Sequence, residues 1–273
     1  MILLVDIGGT NIKYALSTPD GQFVQKGVCP TPKTRKELLD CICDLDYNYD
    51  GIALSLPGVV DNNQSSVFIT GELSFLSEFN ICSYLRQRKG CFVSLENDGH
   101  CATLAELGFG NLKESTNGIV IVVGTSIGIG IVMNHELYQG SHGFAGEYSD
   151  SLLLKNKKLV HVLGRKALEE RTSMSGKELF EHLNDENMYA VFNEYCLDFA
   201  KMICDIQLLL DLDTVLIGGG ISAQSKFIEM VDKNVKELKP LFPTMKMPKI
   251  LACKYGNDAN LLGALYVYEK RVR

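Results

Sequence analysis

Three short stretches concentrate side chains that can do chemistry. Residues 3–16 read LLVDIGGTNIKYAL: an apolar run reaches Asp6, then Gly8, Gly9 and Thr10. A loop that cradles phosphate needs backbone N–H groups pointing inward, no Cβ in the way and a neighbouring hydroxyl as a further donor. Gly8-Gly9-Thr10 offers all of these. Residues 119–132, IVIVVGTSIGIGIV, repeat the design with Gly124, Thr125, Ser126 and Gly128. After the first turn, Ile12, Tyr14 and Leu16 alternate with Lys13, Ala15 and Ser17, and period two reads as strand. A P-loop or a Rossmann turn would enter a helix instead. One glycine hairpin is an ordinary tight turn; two, one in each half, point to phosphate binding. Asp6 would repel a bare polyphosphate. It becomes sensible if Mg²⁺ bridges the two, directly or through water, because Mg²⁺ keeps waters and takes few carboxylates. The alternative is a solvated strand-end acid.

The third stretch is LENDGH, residues 95–100. Asn97, Asp98 and Gly99 favour turns and caps on their own account. A carboxylate at the carboxyl edge of an α/β sheet is also where such proteins place chemistry, and an aspartate there could take the proton of an attacking hydroxyl. Phosphoryl transfer asks for little more than positioning, a metal and a base. A fourth segment, GSHGFAGEYSD at 140–150, sets polar side chains among glycines, and its carboxylates could grip sugar hydroxyls.

The elements that must carry these groups follow from periodicity and turn chemistry. A meander of three strands opens the chain, with a Pro-Asp-Gly turn at 19–21. Residues 31–45 form an amphipathic helix with Thr34 as N-cap and Glu37 at N3, a capping box. Residues 51–61 are a strand stopping at Pro57-Gly58; 91–111 are strand, polar turn and helix. KESTN, 113–117, is the most linker-like segment. The plan then restarts with strands at 118–123, 127–133 and 136–138. Helical patterns dominate 164–210. TVLIGGGIS, 214–222, is a strand and glycine turn with a Ser222 cap before a further helix. A last strand covers 249–255, and a last helix, 258–272, starts at an Asp258 cap and ends in cations, which suits the helix dipole.

The 273 residues carry a net charge of −6 and no Lys/Arg run of the kind that binds nucleic acid or a membrane surface. The longest apolar stretch, 119–123, is too short to span a bilayer, and no secretory signal precedes the first strand. Nine scattered cysteines, with no histidine near Cys41 and Cys43, read as free thiols in a reducing, cytoplasmic setting.

Taken together, the chain resembles the ROK sugar kinases of the hexokinase–actin-like ATPase superfamily. The resemblance rests on Asp6-Ile7-Gly8-Gly9-Thr10, Pro57-Gly58, Glu96-Asn97-Asp98, Gly124-Thr125 with Gly128 and Gly130, Gly143 with Gly146-Glu147, and Gly218-Gly219-Gly220. It implies an α/β, two-lobed, actin-like ATPase (ribonuclease H-like) fold with an interlobe cleft. Residues 1–115 would form one lobe, with 258–273 packing back on it, and 116–257 the other. ATP phosphates would lie between the hairpins, on Asp6, Gly8, Gly9, Thr10, Lys13, Gly124 and Thr125, with adenine near Gly219 and Gly220 and Mg²⁺ at Asp6. Asp98 would be the general base on a sugar 6-hydroxyl, with Gly58, Asn97, Glu147, Asp150 and Glu169 on the sugar. The implied activity is ATP-dependent phosphorylation of glucose or a glucoside, or of N-acetylmannosamine. The family's sugar-sensing repressors carry a winged helix-turn-helix before the first hairpin, and here the strand starts at once. A homodimer is expected.

Many relatives follow a Gly-Glu-Ile-Gly-His stretch with a Cys-x-Cys-Gly-x-x-Gly-Cys-Leu-Glu zinc motif. Here Asp150 stands at the histidine, and VHVLGRKALE (160–169) puts Val160, Val162 and Ala167 at the cysteines. Valine and alanine cannot ligate a metal. The segment is therefore expected to be held by apolar packing of Val160, Val162, Leu163 and Leu168, without zinc. ITGELSFL (69–76) departs from the usual sugar-facing stretch as well.

Overall fold

A computed structural model describes residues 1–45, 47–60, 66–69, 71–124, 127–151 and 157–272. In chain order the first elements are β1 (Ile2–Ile7), β2 (Asn11–Ser17), β3 (Phe23–Pro30), α1 (Arg35–Cys43), β4 (Gly51–Leu56), β5 (Val59–Val60), β6 (Val67–Phe68), α2 (Ile81–Lys89), β7 (Phe92–Asn97) and α3 (Asp98–Phe109). There follow β8 (Gly118–Val123), β9 (Ile127–Met133), β10 (Glu136–Tyr138), α4 (Val160–Leu163), α5 (Arg165–Thr172), α6 (Gly176–Glu181) and α7 (Glu186–Leu210). The last are β11 (Thr214–Gly219), α8 (Ser225–Leu238), β12 (Lys249–Ala252) and α9 (Ala259–Val272). The chain divides into two compact units, Met1–Phe109 with Asn257–Arg273, and Gly110–Gly256.

Unit 1 is built on a five-stranded sheet of order β3-β2-β1-β4-β7. The hairpin strands are antiparallel, and β1, β4 and β7 run parallel. Every residue of β1 and β4 is buried, as expected of parallel strands covered on both faces. On one face Leu3, Val5, Ile7, Ile52 and Leu54 pack with Leu38 and Ile42 of α1 and Leu85 of α2. α9 covers the other face along β1, β4 and β7 and lies against α3. The two helices approach so closely at Gly263 that a Cβ built there falls 1.9 Å from the Cys101 carbonyl oxygen.

Unit 2 repeats the plan. Its sheet has the order β10-β9-β8-β11-β12, with an antiparallel hairpin followed by parallel strands. The core gathers aromatic side chains of α7 and α8, with Phe199 edge-on to Phe227 at 5.3 Å.

Several local expectations are corrected. The helix α2 was not foreseen: only Ile81, Cys82 and Leu85 are buried on its polar sequence. The Thr34 side chain accepts from the Glu37 N–H, but the Glu37 carboxylate takes the Thr34 hydroxyl rather than its backbone N–H, so the box is half formed. A full capping box stands at Ser175 and Glu178. Ser222 does not cap a helix; its hydroxyl donates to the Gly219 carbonyl, and α8 begins at Ser225. Asp258 does stand directly before α9, and its Oδ1 accepts from Lys26 at 2.5 Å. KESTN is no free tether: the Ser115 hydroxyl donates to Thr214, and the N–H groups of Thr116 and Asn117 both donate to Asp213.

Gly263→Ala forces α3 and α9 apart. Overpacking of this kind costs about 1–3 kcal/mol, so the melting temperature is expected to fall by roughly 2–10 °C in a calorimetric scan. An unchanged value would show that the helices can separate freely.

Candidate active site

The parallel strands β1, β4 and β7 end at one edge of the unit 1 sheet, and the pairing register puts Lys13, Asp6, Ser55 and Glu96 side by side across four strands. Residues paired in this way share a face. The row is polar and mostly buried: Asp6 is 7% exposed, Ser55 0% and Glu96 3%. A buried carboxylate needs partners. Asp6 Oδ1 accepts from the Ser55 hydroxyl at 2.9 Å and from the Asn260 amide, on α9, at 3.1 Å. Its Oδ2 lies 4.0 Å from Lys13 Nζ.

The phosphate-type hairpin stands beside it. The Gly8 N–H donates to the Asn11 carbonyl at 3.0 Å, the Thr31 N–H donates to the Thr10 carbonyl, and the Thr31 hydroxyl donates to the Gly8 carbonyl at 2.6 Å. Thr31, the residue after β3, thus fixes the turn that Gly8, Gly9 and Thr10 make. Thr10 is exposed. Glu72, paired with Lys33 at 3.6 Å, lies over Gly9.

At the end of β7, Asn97 caps α3: its Oδ1 accepts from the His100 N–H at 3.0 Å, and its Nδ2 donates to the Gly58 carbonyl at 2.8 Å. Buried Glu96 accepts from the Asn97 N–H at 2.9 Å and meets His100 Nδ1 at 3.0 Å. These contacts seat half-buried Asp98 at the first position of α3, its Oδ1 held by the Gly99 N–H at 2.8 Å. Burial pushes the Asp98 carboxyl above the ordinary carboxylate range; the like charge of Asp6 adds to the rise, and the Gly99 N–H and His100 oppose it. Burial, with Glu96 and Asp6, also pushes the Cys101 thiol well up. Unit 1 therefore brings together Asp6, Gly8, Gly9, Thr10, Lys13, Gly58, Asn97 and Asp98. Ser55, Asn260, Glu96 and His100, which hold them, were not singled out for that task from sequence. A lone hydroxyl in the apolar strand GIALSLP was the available signal for Ser55.

Unit 2 carries the others. The carbonyl of Gly124, directly after β8, accepts from the Arg165 N–H at 3.0 Å. Thr125 lies outside the described residues, as does the side chain of Asp150. Glu147 is exposed and Glu169 half-buried, the latter 3.3 Å from Arg165. Gly219 has φ +88°, and a Cβ there would fall 2.0 Å from the Val123 carbonyl oxygen, so glycine is required by the fold. Gly220 differs: a Cβ would meet nothing within 4 Å. Val162, Ala167 and Leu168, in the segment expected to be apolar, are buried.

A family model described as the ROK family matches residues 2–159 and 156–271. An N-acetylmannosamine kinase of Haemophilus influenzae is 28% identical, over 97% of this chain and 94% of its own length. A beta-glucoside kinase of Listeria monocytogenes is 27% identical, over 97% and 96%. Among solved structures, a ROK family protein from Streptococcus pneumoniae in complex with sucrose superposes with a TM-score of 0.89 at 28% identity, covering 100% of this chain and 99% of that one.

Because folding raises the Asp98 pKa, its contribution to stability is greatest at low pH and is lost as pH rises through the raised value. Asp98→Asn, which keeps the Gly99 contact and drops the charge, is expected to melt higher than the wild type at pH 7. The difference should close as pH falls toward 3.8, the ordinary value. A variant less stable than the wild type at pH 7 would contradict this account.

Proposed function

The chain belongs to the ROK family, with the α/β fold of its actin-like sugar kinases, and is itself a sugar kinase; we propose that it transfers the γ-phosphoryl group of ATP to the 6-hydroxyl of a hexose, glucose or a glucoside. The observation that carries this reading is the seating of Asp98: a half-buried carboxylate of raised pKa at the carboxyl edge of the sheet, beside the Asp6 hairpin. Asp98 accepts the hydroxyl proton as the sugar oxygen bonds to the γ-phosphorus and the bond to ADP breaks. With Oδ1 held by Gly99, Oδ2 is the oxygen for that proton. A base whose pKa is lifted toward the working pH is better matched to the task.

Gly8, Gly9, Thr10 and Lys13, with Gly124 and Thr125, hold the phosphates; Gly219 and Gly220 border the adenine. Open space at Gly220, where neither the backbone nor a protein contact requires glycine, suits close approach of a ligand. Asp6 fits Mg²⁺. Among the described residues no group of three or more His, Cys, Asp or Glu could hold a metal ion, so a cation here must draw on phosphate and water oxygens, as Mg²⁺ does. Bound there, the ion neutralises phosphate charge. Gly58, Asn97, Glu147, Asp150 and Glu169 hold the sugar. A second reading, N-acetylmannosamine as the acceptor, is favoured by the 28% identical kinase for that sugar. A homodimer working in the cytoplasm completes the proposal.

An ATP-coupled assay over a panel of hexoses and aminosugars tests the reading. Phosphorylation of a hexose with no turnover of N-acetylmannosamine supports it; the reverse pattern supports the second reading; no acceptor at all overturns both. On the preferred sugar, Asp98→Asn should lower kcat by about 10²–10⁴-fold with sugar affinity little changed. A loss under about threefold would remove Asp98 as the base.

A further inference from the structure

Helix α5 is fixed at both ends, and Glu169 lies between. At its start the Arg165 N–H donates to the carbonyl of Gly124, the first residue after β8. Near its end Arg171 Nη2 donates both to the Val162 carbonyl and to Asp198 Oδ2, each at 3.0 Å. Val162 and Leu163 close α4, a helix of four residues whose last carbonyls have no intrahelical partner. Arg171 takes the first of these, and the Tyr195 hydroxyl, on α7, takes the second at 2.7 Å. The guanidinium also lies over the Tyr195 ring, 5.4 Å from its centroid. Asp198 is 2% exposed and shares its other oxygen with Lys201 at 3.4 Å.

Glu169 and Arg171 are two positions apart, about 200° around the helix. One face of α5 is therefore locked into α4 and α7, while the other presents Glu169. Apolar packing alone was expected to hold this segment; the structure adds a charged brace. We propose that Arg171 is a positioning residue for sugar recognition: by pinning α5 to α4 and α7 it sets where Glu169 stands relative to the Gly124 turn. This rests on the reading of Glu169 as a sugar ligand.

Arg171→Lys keeps the charge near Asp198 but cannot reproduce the guanidinium's fixed fork of donors. It is expected to raise the sugar KM by about 10–100-fold, since small misplacements of a binding group carry such costs, with the ATP KM changing less than about twofold. In a Glu169→Gln background the same substitution should add less than about twofold, because the group it positions is already lost. A sugar KM within about twofold of wild type, or an undiminished effect in the Glu169→Gln background, would overturn the proposal. Asp198→Asn gives an independent variant should the lysine form fold poorly, and a sugar KM unmoved by it would count equally against the brace. Hydrogen exchange provides a readout that needs no turnover: α4 and α5 amides should exchange faster in Arg171→Lys than in wild type, with β8 unchanged. Unaltered exchange overturns the brace, whereas a wild type that phosphorylates no sugar overturns only the proposed function.

Discussion

A charge held almost out of water at the end of the central strand is the constraint on which unit 1 depends. Asp6 is tolerable there because Ser55 and Asn260 donate to it and Lys13 stands nearby. Each donor fixes an element: Ser55 locks the register of β4 against β1, and Asn260 locks α9 onto the sheet. Removing one donor would leave part of a buried carboxylate unsatisfied, which costs about 1–3 kcal/mol or more for a charged group. The same charge acts on Asp98, whose pKa it helps to lift. One carboxylate thus ties down the helix layer and adds to the rise in proton affinity that burial gives its neighbour.

The two units share a strand order but not a chemistry. Asp6 precedes the last residue of β1; the corresponding place in β8 is Val122, which pairs with Gly218 where Asp6 pairs with Ser55. Gly218 packs against Cys253, with 2.9 Å between a built Cβ and the sulfur. The polar row of unit 1 has an apolar counterpart in unit 2.

How much could be read from sequence divides along the same line. Backbone features with local causes were legible: strands 118–123, 127–133 and 136–138 follow from alternation and turns, and β8, β9 and β10 have those bounds. Asp6, Asp98 and the glycines were legible as residue types at strand ends. What held them was not. Ser55 meets Asp6 across 49 residues, Asn260 across 254, and Arg171 meets Asp198 across 27. A serine in a strand or an asparagine in a helix gives no sign of its distant partner. The helix α2 is hidden for a related reason: only three of its nine residues, Ile81, Cys82 and Leu85, are buried, and the stretch as a whole reads as polar.

The closure of unit 1 by α9 bears on the order in which the chain can fold as it is made. Residues 1–109 emerge first from the ribosome, yet the helix covering one face of their sheet lies at 259–272. Until it arrives, β1 and β4 expose an apolar face, and Asp6 lacks its Asn260 donor. Unit 2, Gly110–Gly256, is contiguous and needs no segment from outside its own range to close. Unit 1 is therefore completed only when α9 docks, and the pair of aspartates acquires its final electrostatic setting at that point.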